Sequence, residues 1–394
     1  MSAADAALLV VDDNEDNRYT LTRRLKREGY NNLTTADNGR QALEALSSRR
    51  FDLVLLDVMM PEMNGYQVLE RLKADRQLRD IPVIMISALD EMDSIIRCVE
   101  LGAEDYLAKP FNPTLLRARV GASLEKKRLR DEVHASLKRL ELELDAARKL
   151  QVGMLPNAFP ALSPSQPLQV YALMEPAREV GGDLYDFFPV TESVYCFLVG
   201  DVSGKGAPAA MFMARTRSLV RMATELWRRL GADSLTPARI ADVVNRELCQ
   251  NNRDHMFVTL FLGFLDTHSG VLTYVNAGHL GPSVLRTSGA IEGVDAKPEM
   301  PLAVRAAAAY QDRTAALLPG DAVFVFSDGV IEAMNVAEEF YGGERLKADL
   351  SAVAGLTPEE MVRSVKDRVD AFTGEAPKAD DITMLALRWQ PARP

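Results

Sequence analysis

Short apolar runs alternate with amphipathic stretches along the first 120 residues. The runs include ALLVV, DLVLL and PVIMIS, and the stretches between them, such as RYTLTRRLKREGY and VLERLKADRQL, have helical spacing. Buried strands separated by helices are typical of a parallel sheet that is covered on both faces. The pattern therefore predicts a doubly wound α/β domain over residues 1–120.

Residues 121–155 have a different pattern, that of one long helix. From Leu124 the chain has no glycine before Gly153, and apolar residues recur on a 4-3-4-3 spacing that only Gln151 interrupts. The members of this seam are Val133, Leu137, Leu140, Leu144, Ala147 and Met154. Such a seam forms either a coiled coil with a second chain or an amphipathic helix packed on its own domain. The narrow seam and its flanking charges favour the coiled coil, and hence a homodimer through this linker helix.

Strand-like runs dominate the chain beyond a Pro- and Ser-containing connector at 156–167. They are LQVYAL, SVYCFLVG, FVTLFLGFLD, VLTYVNAG, DAVFVFSDG and ITMLALRW. Helix-like segments beginning at Ala207, Thr236 and Thr357 interrupt them. Groups of strands around longer helices predict an α+β domain over 156–394, with two packed β-sheets and helices outside.

Composition and charge narrow the functional classes. With 394 residues the chain is long enough for two or three domains. A net charge of -10 argues against a nucleic-acid binder, because nothing indicates a broad basic face. No apolar stretch is long enough to span a membrane, and no basic segment precedes an apolar one as in a signal peptide, so we expect a cytoplasmic protein. The three cysteines are widely separated, which supports neither a disulfide framework nor a zinc site.

Polar side chains stand at the ends of successive strands in the first domain. They are Asp12, Asp13, Asp57, Ser87 and Lys109. Each alone is an ordinary helix cap or turn former. Together, at the carboxyl edge of a parallel sheet, the carboxylates would repel each other unless they held a divalent cation. The ammonium group of Lys109 could pair with a phosphoryl group.

The motifs around these residues resemble the receiver domain of two-component response regulators. They are VDD, LVLLDVMMPEMNGYQVLERLK, PVIMISA and GAEDYLAKPFNP. The resemblance implies a flavodoxin-like fold, a sensor histidine kinase as phosphodonor and a cis peptide bond between Lys109 and Pro110. It also implies these roles: Asp57 as phosphoacceptor; Asp12, Asp13, Asp57 and the Met59 carbonyl as Mg²⁺ ligands; Ser87 and Tyr106 as switch residues; and Lys109 as the phosphoryl contact.

Acidic residues beside glycines also mark the ends of apolar runs in the C-terminal part. They are Asp183 in GGDLYD, Asp201 in VGDVSGKG, Asp328 in VFSDGVIEA, and Asp380 with Asp381 in ADDIT. Each alone is ordinary turn chemistry. If these carboxylates met without a cation, their mutual repulsion and desolvation would destabilise the domain. Two hard divalent metal ions would bind such a group of oxygen ligands and would support hydrolysis of a phosphoester. GDVSGKG is not a nucleotide-binding P-loop, because only three residues separate Gly200 from Gly204.

Eight segments in this part resemble the PP2C-type serine/threonine phosphatases of the SpoIIE class. They are ARKLQVGMLP, GGDLYDFF, GDVSGKGAPAA, FVTLFLGFLD, YVNAGH, SDGVIEAMN, FYGGERL and DDIT. The resemblance implies a catalytic site with two Mn²⁺ or Mg²⁺ ions. Its ligands would be Asp201, bridging both ions, with the Val202 carbonyl, Asp328, Asp380 and Asp183. Neighbouring residues on a strand point to opposite faces, so we expect only one of Asp380 and Asp381 to reach the metals.

These resemblances predict a response regulator that is a metal-dependent protein serine/threonine phosphatase. They imply a phosphorylated STAS-type anti-sigma-factor antagonist as substrate, in a partner-switching pathway. The alternative is a non-catalytic adaptor that binds a sigma factor or regulator through a phosphatase-like domain; the retained aspartates favour the enzyme. Lys205 and Arg178 are candidate cations for the substrate phosphate, and His279 in NAGH is interpreted as a structural turn residue.

Overall fold

A computed structural model describes residues 5–88, 92–159, 167–230, 235–294 and 297–391. The chain divides into two compact units, Met1–Glu141 and Leu142–Pro394. Most of the predicted connector at 156–167 lies outside the described residues. Along the described part of the chain, no helix is both long and apolar enough to cross a membrane.

The N-terminal unit contains one parallel five-stranded sheet in the order β2-β1-β3-β4-β5. Its strands are β1 (Ala7–Val11), β2 (Asn32–Ala36), β3 (Leu53–Asp57), β4 (Val83–Ser87) and β5 (Asp105–Ala108). Its helices are α1 (Glu15–Arg27), α2 (Gly39–Ser48), α3 (Gly65–Ala74), α4 (Met92–Glu100) and α5 (Pro113–Met154). The predicted doubly wound, flavodoxin-like fold is confirmed.

Local sequence signals account for this unit. The strands β1, β3 and β4 are buried at every position, as expected where helices cover both faces of a sheet. Asparagine side chains cap three helices: Asn14 begins α1, Asn38 begins α2, and Asn64 begins α3 in a reciprocal capping box with Gln67. These caps determine where each helix begins: α1 shortly after β1, α2 shortly after β2, and α3 after the loop that follows Asp57.

Helix α5 is 42 residues long and continues past the boundary between the two units. The seam residues Val133, Leu137 and Leu140 are each more than half exposed, whereas Gln151, which interrupts the seam, is buried. A stripe of exposed leucine and valine on a long charged helix is typical of a helix that pairs with another. The coiled coil itself remains a prediction.

Two antiparallel five-stranded sheets form the centre of the C-terminal unit. Their orders are β13-β10-β9-β8-β7 and β12-β11-β14-β15-β6. The strands are β6 (Leu168–Glu175), β7 (Leu184–Pro189), β8 (Val194–Val202), β9 (Val258–Asp266), β10 (Val271–Ala277), β11 (Ser283–Leu285), β12 (Ile291–Gly293), β13 (Arg313–Ala316), β14 (Ala322–Phe326) and β15 (Ile382–Trp389). The helices are α6 (Ala207–Arg229), α7 (Pro237–Cys249), α8 (Asp328–Ile331), α9 (Gly342–Val353) and α10 (Pro358–Thr373).

Three apolar layers hold this unit together. Aromatic and aliphatic side chains such as Phe197, Phe261 and Leu385 fill the space between the sheets. One outer layer packs α6 and α7 on the first sheet, and the other packs α9 and α10 on the second. The predicted sandwich with outer helices is confirmed. Helix α9 and the short strands β11, β12 and β13 were not predicted, because α9 begins at a glycine pair without a side-chain cap and those strands span only three or four residues.

Candidate active site

The carboxyl edge of the N-terminal sheet gathers three carboxylates and a lysine. Asp12 and Asp13 follow β1, and Asp57 is the last residue of β3; one oxygen from each lies within 4.8 Å of the others. Asp12 and Asp57 are buried and Asp13 is exposed. Lys109 Nζ lies 2.7 Å from Asp12 Oδ2 and 3.0 Å from Asp57 Oδ1. The structure thus brings these four predicted site residues together.

Burial and crowding set the charge state of this pocket. Burial raises the pKa of Asp57 to about 6, against the hydrogen bond and charge of Lys109. A carboxylate that is costly to ionise gains from a cation, and three oxygens this close are the hard ligands that Mg²⁺ prefers. The donor set therefore fits the predicted Mg²⁺ site.

Two other predicted receiver residues lie on the neighbouring strands of the same sheet. Ser87 is the last residue of β4 and is fully buried, and Tyr106 lies on β5. Met59 lies two residues after Asp57, and its side chain is largely exposed. The peptide bond between Lys109 and Pro110 is cis.

The four predicted catalytic aspartates come from separate segments of the C-terminal unit. Asp201 lies near the end of β8, opposite Thr259 of β9, and Asp183 directly precedes β7. Asp328 begins α8 after β14, and Asp380 lies just before β15. Ser327 joins the last two segments, because its hydroxyl accepts from Thr383 N at 3.0 Å and its N–H donates to Thr383 O at 2.9 Å.

Burial and neighbouring charges raise the pKa values of three of these carboxylates. Burial, then the charges of Asp328 and Asp380, raise the pKa of Asp201 to about 7. Burial and the charge of Asp201 raise the pKa of Asp183 well above its usual range. Burial and the charge of Asp380 raise the pKa of Asp328. Such a group is stable only when protons or cations neutralise it.

One buried oxygen indicates where a cation would fit. Asp183 is 1% exposed, and its Oδ2 has no hydrogen-bond partner among the described residues. A buried polar atom without a partner costs free energy, and metal coordination is one way to satisfy it. Together with the all-oxygen donor set, this orphaned atom is compatible with divalent cations such as Mn²⁺ or Mg²⁺. Among the described residues, Asp12, Asp13 and Asp57 are the group of three carboxylates that lie within 4.8 Å of one another.

Asp381 has a different environment from Asp380. The Asp381 carboxylate accepts backbone N–H groups from Ala177 at 2.8 Å and Gly182 at 2.7 Å, so it holds the GGD turn. A Cβ at Gly181 would lie 2.3 Å from Asp381 Oδ2, and one at Gly182 would lie 2.8 Å from the Val202 carbonyl. The absence of side chains at Gly181 and Gly182 lets this turn lie against both the Asp381 carboxylate and the Val202 backbone beside Asp201.

The candidate phosphate-binding cations differ in position. Lys205 Nζ lies 2.9 Å from Asp380 Oδ2 and donates to Ala379 O at 2.6 Å, so it lies at the carboxylate group. Arg178 is exposed near the GGD turn.

Glu332, which the sequence analysis did not predict, also lies near these carboxylates, because burial and then the charges of Asp328 and Asp380 raise its pKa. Its position one helical turn after Asp328 is the only signal that could have indicated it.

Gln151, near the end of α5, is the second residue that sequence reasoning missed. Its side-chain amide makes two buried hydrogen bonds to one residue: Nε2 donates to Gly181 O at 2.5 Å, and Oε1 accepts from Gly181 N at 3.1 Å. Gly181 begins the turn that carries Asp183. A polar residue interrupting an apolar seam was the available signal, but only the fold shows its partner.

Replacing Gln151 with alanine is expected to lower the free energy of unfolding by about 1–3 kcal/mol, because two buried backbone groups lose their partner. Both tryptophans of the chain, Trp227 and Trp389, lie in the C-terminal unit, so urea titration of tryptophan fluorescence reports on it alone. Lys149→Ala, on an exposed position of the same helix, is the control. Equal stability of the two variants would contradict a structural role for the Gln151 amide.

His279 links the turn after β10 to the neighbouring strand β9 of the same sheet. It is 5% exposed, and its Nδ1 lies 2.8 Å from Thr259 Oγ1. Its backbone N–H donates to Asn276 Oδ1 at 2.7 Å, closing the NAGH turn. Burial lowers the pKa of His279 to about 4, so the ring is neutral in the folded protein near neutral pH.

This histidine predicts acid sensitivity of the C-terminal unit. Its pKa is lower in the folded than in the unfolded chain, so the unfolded chain binds the proton first and stability falls as pH drops from about 6.5 to about 4. Two and a half pKa units correspond to about 3 kcal/mol. We expect wild type to lose about this much more than His279→Gln over that range, by urea titration of tryptophan fluorescence. Parallel pH curves for the two proteins would exclude the effect.

Comparison with known protein families gives two matches, one in each of the two units. A sequence model described as response regulator receiver domain matches residues 8–121. A sequence model described as stage II sporulation protein E (SpoIIE) matches residues 191–390, half of the chain. The chain belongs to the SpoIIE family. Its N-terminal part is a response regulator receiver domain, as the sequence motifs predict.

Individual relatives match each part of this SpoIIE-family protein. Protein IcfG of Synechocystis sp. is 30% identical over 276 residues, which are 65% of this chain and 42% of that protein. The two-component response regulator ORR3 of Oryza sativa subsp. indica is 41% identical over 108 residues, 27% of this chain and 82% of that protein. The chain spans about half or less of the length of IcfG and of the ycf27 regulators that it also matches.

A solved structure supports the fold of the SpoIIE-family unit. The SiaA-PP2C domain of Pseudomonas aeruginosa superposes with a TM-score of 0.57 at 21% identity. The match covers 65% of this chain and 99% of that domain. At this identity the likeness establishes a shared PP2C-like fold.

Proposed function

We propose that this protein is a metal-dependent protein serine/threonine phosphatase whose activity depends on phosphorylation of its receiver domain. The observation that carries the proposal is that the segments bearing the four aspartates meet. A Cβ at Gly182 would lie 2.8 Å from the Val202 carbonyl, and Ser327, beside Asp328, bonds Thr383 of the segment that carries Asp380. Burial and neighbouring charges raise the pKa values of Asp183, Asp201 and Asp328. Membership of the SpoIIE family and a PP2C-like fold support it. The domain limits that accompany the proposal are 1–120 for the receiver, 121–155 for the linker and 156–394 for the phosphatase.

Some residues of this site would hold cations, and others keep a ligand in place. Asp183, Asp201, Asp328 and Asp380, with the Val202 carbonyl, would hold two Mn²⁺ or Mg²⁺ ions. Bound divalent ions supply an activated water and polarise a phosphoryl group. Asp381 and Gln151 hold the turn that carries Asp183 through the bonds described above, and so keep that ligand in place.

Regulation would begin at Asp57. A sensor histidine kinase would serve as phosphodonor, with Mg²⁺ held by Asp12, Asp13, Asp57 and the Met59 carbonyl. Phosphorylation adds negative charge beside Lys109, Ser87 and Tyr106 and changes the outer face of the receiver. Helix α5 begins in the receiver at Pro113 and ends at Met154, and its residue Gln151 bonds Gly181 of the C-terminal unit. A homodimer through this helix would let a change in helix pairing reach the turn that carries Asp183.

The proposed substrate is a phosphorylated STAS-type anti-sigma-factor antagonist, which places the protein in a partner-switching pathway. Family resemblance supports this choice. Its test compares kcat/KM for a phosphorylated STAS-domain protein with kcat/KM for an unrelated phosphoserine protein. We expect a preference for the STAS protein, and equal values would contradict the proposed pathway.

The phosphatase proposal is tested with the purified full chain and synthetic phosphopeptides. We expect phosphate release from phosphoserine and phosphothreonine peptides in Mn²⁺, none after chelation with EDTA, and recovery when Mn²⁺ is restored. A phosphotyrosine peptide serves as the specificity control. Absence of turnover with any divalent ion would favour the alternative, a non-catalytic adaptor that binds a sigma factor or regulator.

A further inference from the structure

Lys205 places a positive charge directly on one of the proposed metal ligands. Its ammonium group contacts Asp380 Oδ2 at 2.9 Å and the Ala379 carbonyl at 2.6 Å, 174 residues away in the chain. Among the described residues, no other basic side chain forms an ion pair with Asp183, Asp201, Asp328 or Asp380. The charge of Lys205 also lowers the pKa of Asp328, which burial and the charge of Asp380 raise.

The surroundings of Lys205 leave its ammonium group free to change partners. It lies between Gly204 and Gly206, both with positive φ, in a loop whose backbone only glycine adopts readily. The side chain of Lys205 is 40% exposed and that of Asp380 is 37% exposed, so their ion pair is solvated and individually weak. A long, flexible side chain in this position can exchange one anionic partner for another at little cost.

A divalent ion and an ammonium group cannot both contact Asp380 Oδ2 without strong repulsion. Resting on the proposed function, we propose that Lys205 is the residue that binds the substrate phosphoryl group, and that its ion pair with Asp380 competes with metal binding. Metal binding at Asp380 displaces the ammonium group at the edge of the site. The phosphate dianion is then its nearest strong acceptor, bound by charge-assisted hydrogen bonds.

A purely structural role for Lys205 makes the opposite prediction. If the lysine only tied the loop at 203–206 to Ala379 and Asp380, its removal would loosen the ligands and weaken metal binding. If it competes with the metal, its removal strengthens metal binding. The sign of the change in metal affinity therefore separates the two roles without any measurement of catalysis.

The experiment titrates Mn²⁺ into the full chain by calorimetry and then measures inorganic phosphate as a competitive inhibitor. The receiver carboxylates are the same in every variant, so a difference in Mn²⁺ affinity between variants reports on the C-terminal site. The variants are Lys205→Gln and Lys205→Arg. The matched control is Lys378→Gln, which removes a lysine that lies in the loop of Asp380 but pairs with Glu175. We expect Lys205→Gln to bind Mn²⁺ about two- to fivefold more tightly and phosphate roughly tenfold more weakly. Lys205→Arg and Lys378→Gln should stay within about twofold of wild type for both ligands.

Weaker or unchanged Mn²⁺ binding by Lys205→Gln would overturn the proposal, and so would unchanged phosphate inhibition. Failure of the underlying phosphatase proposal would look different, because wild type itself would then release no phosphate from a phosphoserine peptide in Mn²⁺. Thermal unfolding of each variant checks that the exposed substitution leaves the fold intact.

Discussion

Replacing Asp201 with asparagine is expected to slow metal-dependent phosphoester hydrolysis by roughly 10³-fold or more, equivalent to about 4 kcal/mol of transition-state stabilisation. Asparagine keeps the shape of the side chain but removes the charge that would bridge two cations. The same substitution removes a partly buried charge that Asp328 and Asp380 repel, so the metal-free variant should unfold at a higher temperature than wild type. Loss of activity with a gain of stability distinguishes a ligand from a structural residue.

The matched control for Asp201 is Asp266→Asn. Asp266 ends β9, the strand beside β8, at the opposite end from Asp201, and it bonds Ser269 and His268 locally. Initial rates with p-nitrophenyl phosphate in Mn²⁺ and melting temperatures in EDTA give both readouts. We expect Asp266→Asn to keep wild-type activity within about twofold, because Asp266 lies at the far end of the strand and bonds only locally. An Asp201→Asn enzyme as active as this control would refute the assigned metal site.

Replacing Asp57 with alanine is expected to abolish the change in phosphatase rate that a phosphodonor produces in wild type. Asp57 is the buried carboxylate at the pocket where Asp12, Asp13 and Lys109 meet, and alanine offers no oxygen to phosphorylate. Coupling between two sites in one protein commonly changes a rate or affinity by about 5- to 150-fold. The ratio of rates with and without acetyl phosphate should therefore fall from such a value to one.

Asp37→Asn provides the control for this receiver experiment. Asp37 follows β2 at the same edge of the sheet, but it is exposed and outside the group formed by Asp12, Asp13 and Asp57. Incorporation of radiolabelled phosphate from a phosphodonor is measured beside activity. Asp37→Asn should be labelled and should respond like wild type. A full response by Asp57→Ala would show that regulation does not pass through this residue.

Much of the fold could be predicted because the strands are long and strongly apolar. The strands β8, β9, β14 and β15 are buried at most positions and were visible as runs of valine, leucine and phenylalanine. Helix α9 was not visible, since Gly342 and Gly343 at its start carry turn signals. The sequence does not predict strand β7, because its start at Leu184 coincides with the turn of the GGDLYD motif.

Positions of the candidate ligands could also be predicted, but their contacts could not. Asp201 and Asp328 stand at strand ends, where a local pattern is enough to single them out. The difference between Asp380 and Asp381 depends on which backbone N–H groups face each carboxylate, and those belong to Ala177 and Gly182, about 200 residues earlier. The pairing of Gln151 with Gly181 likewise arises only when distant segments meet.

The most direct test of the account is the rate of phosphate release from a phosphoserine protein by the wild-type full chain in Mn²⁺, measured with and without prior phosphorylation of the receiver. We predict Mn²⁺-dependent turnover whose rate changes when Asp57 carries phosphate. Turnover that is the same before and after stoichiometric phosphorylation of Asp57, or no turnover in either state, would contradict the claim that the receiver controls a metal-dependent phosphatase.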